Sequence, residues 1–459
     1  MKILNPLWLP VTWLIFGCIV MIAGLFGWLY PVLAIGLLVI VIQLALTTHR
    51  LSKTLPSFSL RQLLLIGTVL SIWLLHSLQL FVPETGFDAV WYHLPVAEAF
   101  ATAHRYSYLP DLYQSLNPLF SDGLFYPGYM VAHDFGAKVT AYLLGLSLLV
   151  VVYQLSRYYM TRSWALVTTI IISLFQVITW QVSSFYVDIP KALWELSALW
   201  LLIDKNVLRG KPLHRSLLIG LCIGASLATK QFSLLLLPLF MALYIGSDYF
   251  MKQKKLLLTV ALGMMAVFMP LYLRSWYYSG SPFFMVDTHV SNIIQTDHQQ
   301  TLVEYLIVRT LLLPTAPYEL LAARDYVSII PVVLLPLTML FLFRRQRNTS
   351  IIYLTIFTVW QLMIWWFVPP PSTRYALAGF ITLVVLTTAA ASYWYQQKKE
   401  LRAPIVLVLM IGILWAVLPR LVVANRSLSF ILGHQTKQEY IELLYDGMID
   451  HHLKSWHSL

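Results

Sequence analysis

Charge is what this chain has least of. Asp, Glu, Lys and Arg together make up 11% of its 459 residues, against 59% hydrophobic residues. A soluble domain carries roughly 25% charged residues, so a water-soluble globule is excluded. Cysteine is nearly absent: Cys18 and Cys222 both fall in apolar stretches, which leaves no disulfide framework and no indication of redox compartment. The sequence has no Gly-rich phosphate loop and no dinucleotide fingerprint. Its 12 histidines show no zinc-type spacing with cysteine, and no nucleophile elbow is present. A soluble nucleotide donor therefore has no evident seat. Internal repeats and low-complexity tracts are missing as well.

What the chain does have is apolar runs of membrane-crossing length. They lie at about 8–28, 31–48, 62–82, 137–155, 163–180, 188–203, 215–229, 231–250, 256–274, 327–343, 350–368, 375–395 and 403–420. The pattern predicts an all-α polytopic membrane protein with about thirteen spans. The stretch 215–250 also reads as one long broken helix, which would change the parity. The formal charge of +11 is no nucleic-acid footprint, because most of the 31 Lys and Arg residues sit in short loops on alternate connections. By the positive-inside rule those loops are cytoplasmic. The N-terminus is then expected inside as an uncleaved first span, and the C-terminus outside.

Two outer segments are too long for simple connectors, 83–136 and 275–326. Both are rich in Trp, Tyr, Phe and Leu, which predicts half-buried helices lying on the membrane surface, one of them over Leu302 to Leu313. Residues 1–420 are expected to form one membrane domain, and 421–459 a short outer tail with a helix near Gln438–Tyr445.

The first outer segment opens on Phe87-Asp88-Ala89-Val90-Trp91-Tyr92-His93-Leu94-Pro95. A carboxylate at a bilayer rim costs free energy unless it is paired, hydrated or used. Asp88 reads either as a functional carboxylate or as the cap of a helix starting near Val90, with Trp91 and Tyr92 in an aromatic belt. Asp111 and Asp122, amid Pro, Asn and Gly, read as turn residues, and Asp134 with Lys138 as an ion pair one helical turn apart. Asp188 begins the next outer hairpin, as a cap or as a second functional carboxylate. Lys191 and Glu195 lie four apart and predict a pair.

Cations on the outer side oppose the topological bias, so each asks for a reason. Lys230 interrupts two apolar stretches with almost no room for a loop. Arg274 ends a span, Arg374 follows Pro369-Pro370-Pro371-Ser372-Thr373, and Arg420 is a weaker fourth. Singly, each reads as a snorkelling side chain. Several on one rim, opposite two carboxylates, point to a site that holds a phosphate and manages a proton.

In this order and sidedness the residues resemble the integral-membrane glycosyltransferases of the C superfamily (GT-C), which use polyprenyl-phosphate sugars and include protein O-mannosyltransferases and lipid A aminoarabinose transferases. The resemblance rests on Asp88-x-x-x-Tyr92-His93-x-Pro95, Tyr186-Val187-Asp188, Thr229-Lys230, Arg274-x-Trp276 with Gly280-Ser281-Pro282, and Arg374-Tyr375. It implies an inverting transfer of a sugar from a polyprenyl-phosphate donor to an acceptor hydroxyl on lipid, glycan or protein, at the extracytoplasmic face of a bacterial plasma membrane. Asp88 would be the catalytic base. Glu84, Trp91, Tyr92, His93, Tyr186, Asp188, Lys230, Arg274 and Arg374 would bind substrate. Many relatives carry two adjacent acidic residues where this chain has Asp88-Ala89; Glu84 or Asp188 would have to supply the second carboxylate of a divalent metal site. No other cofactor and no nucleic acid is implied. A glycolipid transporter or flippase, and a glycan polymerase or ligase, are the alternative readings. The missing repeats count against transport.

Overall fold

The computed structural model describes residues 6–53, 58–247, 255–284, 302–322, 327–345, 348–368 and 372–445. The proline run 369–371, residues 285–301 of the second outer segment and the tail after 445 lie outside the described residues. Every regular element among the described residues is helical. In chain order the α-helices are α1 Trp8–Phe26, α2 Ile35–Lys53, α3 Leu60–Ser77, α4 Leu94–Ala103, α5 Phe120–Tyr159, α6 Arg162–Ser173 and α7 Gln176–Gln181. Next come α8 Asp188–Ile203, α9 Pro212–Leu227, α10 Leu237–Ile245, α11 Lys255–Ser279, α12 Leu302–Leu311 and α13 Ala316–Ala322. The last are α14 Ile330–Val333, α15 Leu335–Arg345, α16 Thr349–Phe367, α17 Leu377–Gln397, α18 Arg402–Ile431 and α19 Lys437–Tyr445.

Seven helical stretches among the described residues are long and apolar enough to cross a membrane: Trp8–Phe26, Leu60–Phe81, Phe120–Tyr159, Lys255–Ser279, Thr349–Phe367, Thr373–Gln397 and Lys399–Ile431. The chain is an all-α integral membrane protein. Length alone does not reproduce the expected thirteen or so spans. Other expected spans are shorter: α6 and α7 divide 163–180 at Leu174 and Phe175, and α14 and α15 divide 327–343 at Leu334.

The centre of the bundle is α8, buried along its whole length, with α17 beside it. Most residues of α8 are apolar, and its buried Lys191 and Glu195 pair with each other at 2.7 Å. Nearby, α9 lies against α11 at backbone contact, since a Cβ on Gly224 or Gly220 would run into the Met264 or Val260 carbonyl. Gly220-xxx-Gly224 is thus a small-residue seam of the type that lets membrane helices approach closely.

Helical order enters the first outer segment, where α5 already begins at Phe120. Asp122, Gly123, Pro127 and Gly128 look like loop residues, yet all are buried in helix among Phe120, Leu124, Phe125 and Tyr126. The real interruption is at Ala132 and His133, the latter with φ 49° and ψ −137°. Helix α18 runs on past 420 to Ile431. Arg420, Ala424 and Ser427 keep its buried face at helical spacing through a polar stretch. A helix, α12, covers Leu302–Leu311 of the expected 302–313, and α19 covers the expected tail helix.

Candidate active site

The site assembles from four chain segments. The loop after α3 carries Glu84 to Asp88, the loop between α7 and α8 carries Tyr186, and the break between α9 and a 3₁₀ turn (Gln231–Leu236) carries Lys230. A second 3₁₀ turn, Thr373–Ala376, leads into α17 and carries Arg374.

Glu84 folds the first of these loops. Its Oε1 accepts hydrogen bonds from the Thr85 and Gly86 amides at 2.9 and 2.8 Å and from Ser184 Oγ at 2.8 Å. Its Oε2 accepts from the Phe185 amide at 3.3 Å. One carboxylate therefore ties the Asp88 loop to the Tyr186 loop. The Tyr186 hydroxyl completes the link by accepting from the Asp88 amide at 2.9 Å. Burial, with Asp88 close by, raises the Tyr186 phenol above its ordinary pKa, so it stays protonated.

With its backbone held, Asp88 uses its side chain for something other than a helix cap. Its Oδ2 lies 2.6 Å from Arg374 Nη1, and no side-chain cap bond is made. Arg374 also lies against the rings of Tyr375 and Tyr186, at 5.1 and 5.7 Å from their centroids. Asp188 forms the second pair: Oδ1 accepts from Lys230 Nζ at 2.7 Å and Oδ2 from Gln181 Nε2 at 2.9 Å. Lys230 sits 4.4 Å over the Tyr375 ring, so both cations lie against the same ring. Both cations keep 19% of their side-chain surface, Asp88 keeps 14% and Asp188 none. Lys230 is thus more open than its counter-ion, whereas Arg374 and Asp88 are exposed to nearly the same degree.

Asp88, Tyr186, Asp188, Lys230 and Arg374 come together as the sequence suggests. The other candidates take different places. Tyr92, partly buried, packs against His93 at 4.1 Å, and burial with Asp88 nearby raises its pKa. Trp91 is exposed beside Phe87. His93 lies beneath the loop, its Nδ1 2.6 Å from Asp122 Oδ1 and its ring stacked on Phe185. Asp122 is therefore not a turn residue but the buried partner of His93. Arg274 supports the first outer segment from beneath, donating to the Ser115 and Ser107 carbonyls at 2.8 Å each. Arg420 bonds Gln176 and the Leu174 carbonyl. Lys138 donates to the Val82 and Gln79 carbonyls instead of pairing with Asp134. The Lys191–Glu195 pair is present at 2.7 Å.

Gln181 and Tyr375 are the contributors that the sequence conceals. Neither is charged, and only adjacency to Arg374 marks Tyr375. Among the described residues no three His, Cys, Asp or Glu side chains converge as a metal site would require. Glu84 spends its oxygens on backbone and hydroxyl donors, and Asp188 on Lys230 and Gln181. The residues present do not fit a divalent cage.

No family model matches the sequence, and no curated protein does. Among solved structures, the chain is similar to the oligosaccharyltransferase AglB from Archaeoglobus fulgidus, in complex with an inhibitory peptide and a dolichol-phosphate. The TM-score is 0.51 at 14% identity, over 79% of this chain and 56% of that one. It thus spans little more than half of that archaeal protein. It is also similar to ArnT from Cupriavidus metallidurans bound to undecaprenyl phosphate, with a TM-score of 0.48 at 13% identity over 81% and 70% of the two chains. The chain thus shares its fold with that oligosaccharyltransferase over most of its own length.

Proposed function

We propose that the chain is an inverting glycosyltransferase that moves a sugar from a polyprenyl-phosphate donor to an acceptor hydroxyl. The observation that carries this reading is the pair of rim cations, Arg374 and Lys230, each held 2.6–2.7 Å from a carboxylate and still open to solvent. The donor phosphate would take the exposed faces of Arg374 and Lys230. Such preorganised charge often supplies the largest single term in catalysis, on the order of 3–4 kcal/mol per donor. Asp88, released from Arg374, would accept the proton of the acceptor hydroxyl, worth roughly 10²–10⁴ in rate. The acceptor oxygen would form its bond to the anomeric carbon as the carbon–oxygen bond to phosphate breaks. Polyprenyl phosphate would leave with the electron pair, and the configuration would invert. Tyr186 keeps the Asp88 loop in place, and Trp91 and Tyr92 offer faces for the sugar.

The likeness in fold to an oligosaccharyltransferase solved with dolichol-phosphate supports a lipid-linked donor. The distribution of basic loops supports a site facing away from the cytoplasm.

The test is turnover by purified protein in nanodiscs with labelled polyprenyl-monophosphate sugars and membrane extract as acceptor source. Release of polyprenyl phosphate is the expected result. Movement of intact glycolipid across proteoliposomes without bond cleavage would replace this reading with transport. Turnover confined to lipid-diphosphate oligosaccharides would replace it with a polymerase or ligase.

A further inference from the structure

Behind the two rim pairs lies a third ion pair that no step of the proposed reaction uses. Lys191 Nζ and Glu195 Oε1 are 2.7 Å apart on α8, with side chains 3% and 0% exposed. A buried pair is often no more stabilising than apolar residues of the same volume, so stability is a weak reason for its presence. Its other bonds give a better one.

Glu195 Oε1 accepts hydrogen bonds from Ser226 Oγ at 3.0 Å and Ser233 Oγ at 3.4 Å, and these two hydroxyls are themselves 2.8 Å apart. Ser226 and Ser233 bracket Lys230 on either side of the break between α9 and its following turn. Glu195 Oε2 accepts from Gln361 Nε2 of α16 at 2.9 Å. Lys191 Nζ donates to the carbonyl of Tyr375 at 3.0 Å, the residue next to Arg374. The Tyr375 ring in turn stacks on Phe232 at 4.7 Å and lies under Lys230. One buried pair thus grips the turn that carries Lys230 and the turn that carries Arg374.

We propose that Lys191 and Glu195 are positioning residues that set the separation of Lys230 and Arg374, so that the two cations engage the phosphate of one polyprenyl lipid together, as donor and as leaving polyprenyl phosphate. The inference rests on the proposed function, since it assigns those cations to a phosphate.

The test uses full-length Lys191→Met/Glu195→Leu protein in nanodiscs, which removes both charges at once and all the bonds to the two turns. Thermal unfolding, polyprenyl monophosphate affinity and donor-dependent initial rates are measured together. A thermal midpoint close to wild type is expected, because neither charge is left unpaired. The dissociation constant for polyprenyl monophosphate and the donor KM are expected to rise at least ten-fold, while kcat changes less. Wild-type affinity and KM in the folded double variant would overturn the inference. If the double variant does not fold, Gln361→Leu and Ser233→Ala each remove one neutral bond to Glu195 and are read in the same way. A wild-type protein that neither binds polyprenyl monophosphate nor turns over would overturn the proposed function and this inference together. Wild-type binding matched by equal binding in the variants would overturn this inference alone.

Discussion

Arg374 Nη1 lies 2.6 Å from Asp88 Oδ2, although 286 positions separate the two residues in the chain. The group proposed to hold the donor's phosphate thereby also restrains the group proposed to take the acceptor's proton. On that proposal a phosphate entering the site would compete with Asp88 for Arg374, and its arrival would free the carboxylate, so that donor binding and activation of the base would be one event.

Removing the competing anion should therefore tighten phosphate binding. Asp88→Asn is expected to bind polyprenyl monophosphate on the order of ten-fold more tightly than wild type, equivalent to about 1.4 kcal/mol. Arg374→Met should bind it more weakly than wild type. Thermophoresis or native mass spectrometry in nanodiscs can measure both. Equal affinities for the three proteins would remove the competition from the account.

Lys230 and Asp188 make a different prediction, because the carboxylate has no exposed surface. Lys230→Met leaves it without its cation and is expected to cost roughly 3–5 kcal/mol of stability. Lys230→Met/Asp188→Asn should recover most of that loss in thermal unfolding and remain inactive in transfer. Recovery of transfer in the double variant would show Lys230 to be structural only.

Gly86 tests how closely the two loops must fit. A Cβ there would lie 2.5 Å from Ser184 Oγ and 2.7 Å from the Tyr186 ring. Gly86→Ala should push the Asp88 loop outward and slow transfer by about 10², the order expected for a displacement near 1 Å. Adding Ser184→Ala should restore part of the rate. A Gly86→Ala protein with the wild-type rate would show that this contact does not position Asp88.

Tyr186 predicts a pH effect. Its pKa is raised in the folded protein, so the folded state keeps the phenol proton where the unfolded chain gives it up. The unfolded state then binds fewer protons, and stability falls as pH rises above the ordinary tyrosine value of about 10. Tyr186→Phe should lose stability less steeply above that pH in thermal scans. Parallel slopes for the two proteins would contradict the assignment.

The charged members of the candidate site stand out in the sequence because charge is rare here and each of these cations interrupts apolar neighbours. Asp88, Asp188, Lys230 and Arg374 were legible on those grounds, and Lys191–Glu195 from helical spacing alone. Pairing was not legible, since it depends on how distant helices meet. Arg274 shows why a cation's type and side are insufficient: its partners are the main-chain carbonyls of Ser107 and Ser115, which no side-chain pattern announces. Asp122 misleads in the opposite direction. Its Gly and Pro neighbours suggest a turn, but burial among Phe120, Leu124 and Phe125 draws the segment into α5. Helical order through Arg420, Ala424 and Ser427 was hidden for a related reason, because one buried face outlasts the hydrophobic run.

The most direct test of the account is the single-turnover rate of sugar transfer by Asp88→Asn protein saturated with labelled polyprenyl-monophosphate sugar. If Asp88 is the base, the variant should fold as wild type does, hold its donor and transfer at roughly 10²–10⁴ below the wild-type rate. A saturated, folded Asp88→Asn protein that transfers sugar at the wild-type rate would contradict the central claim.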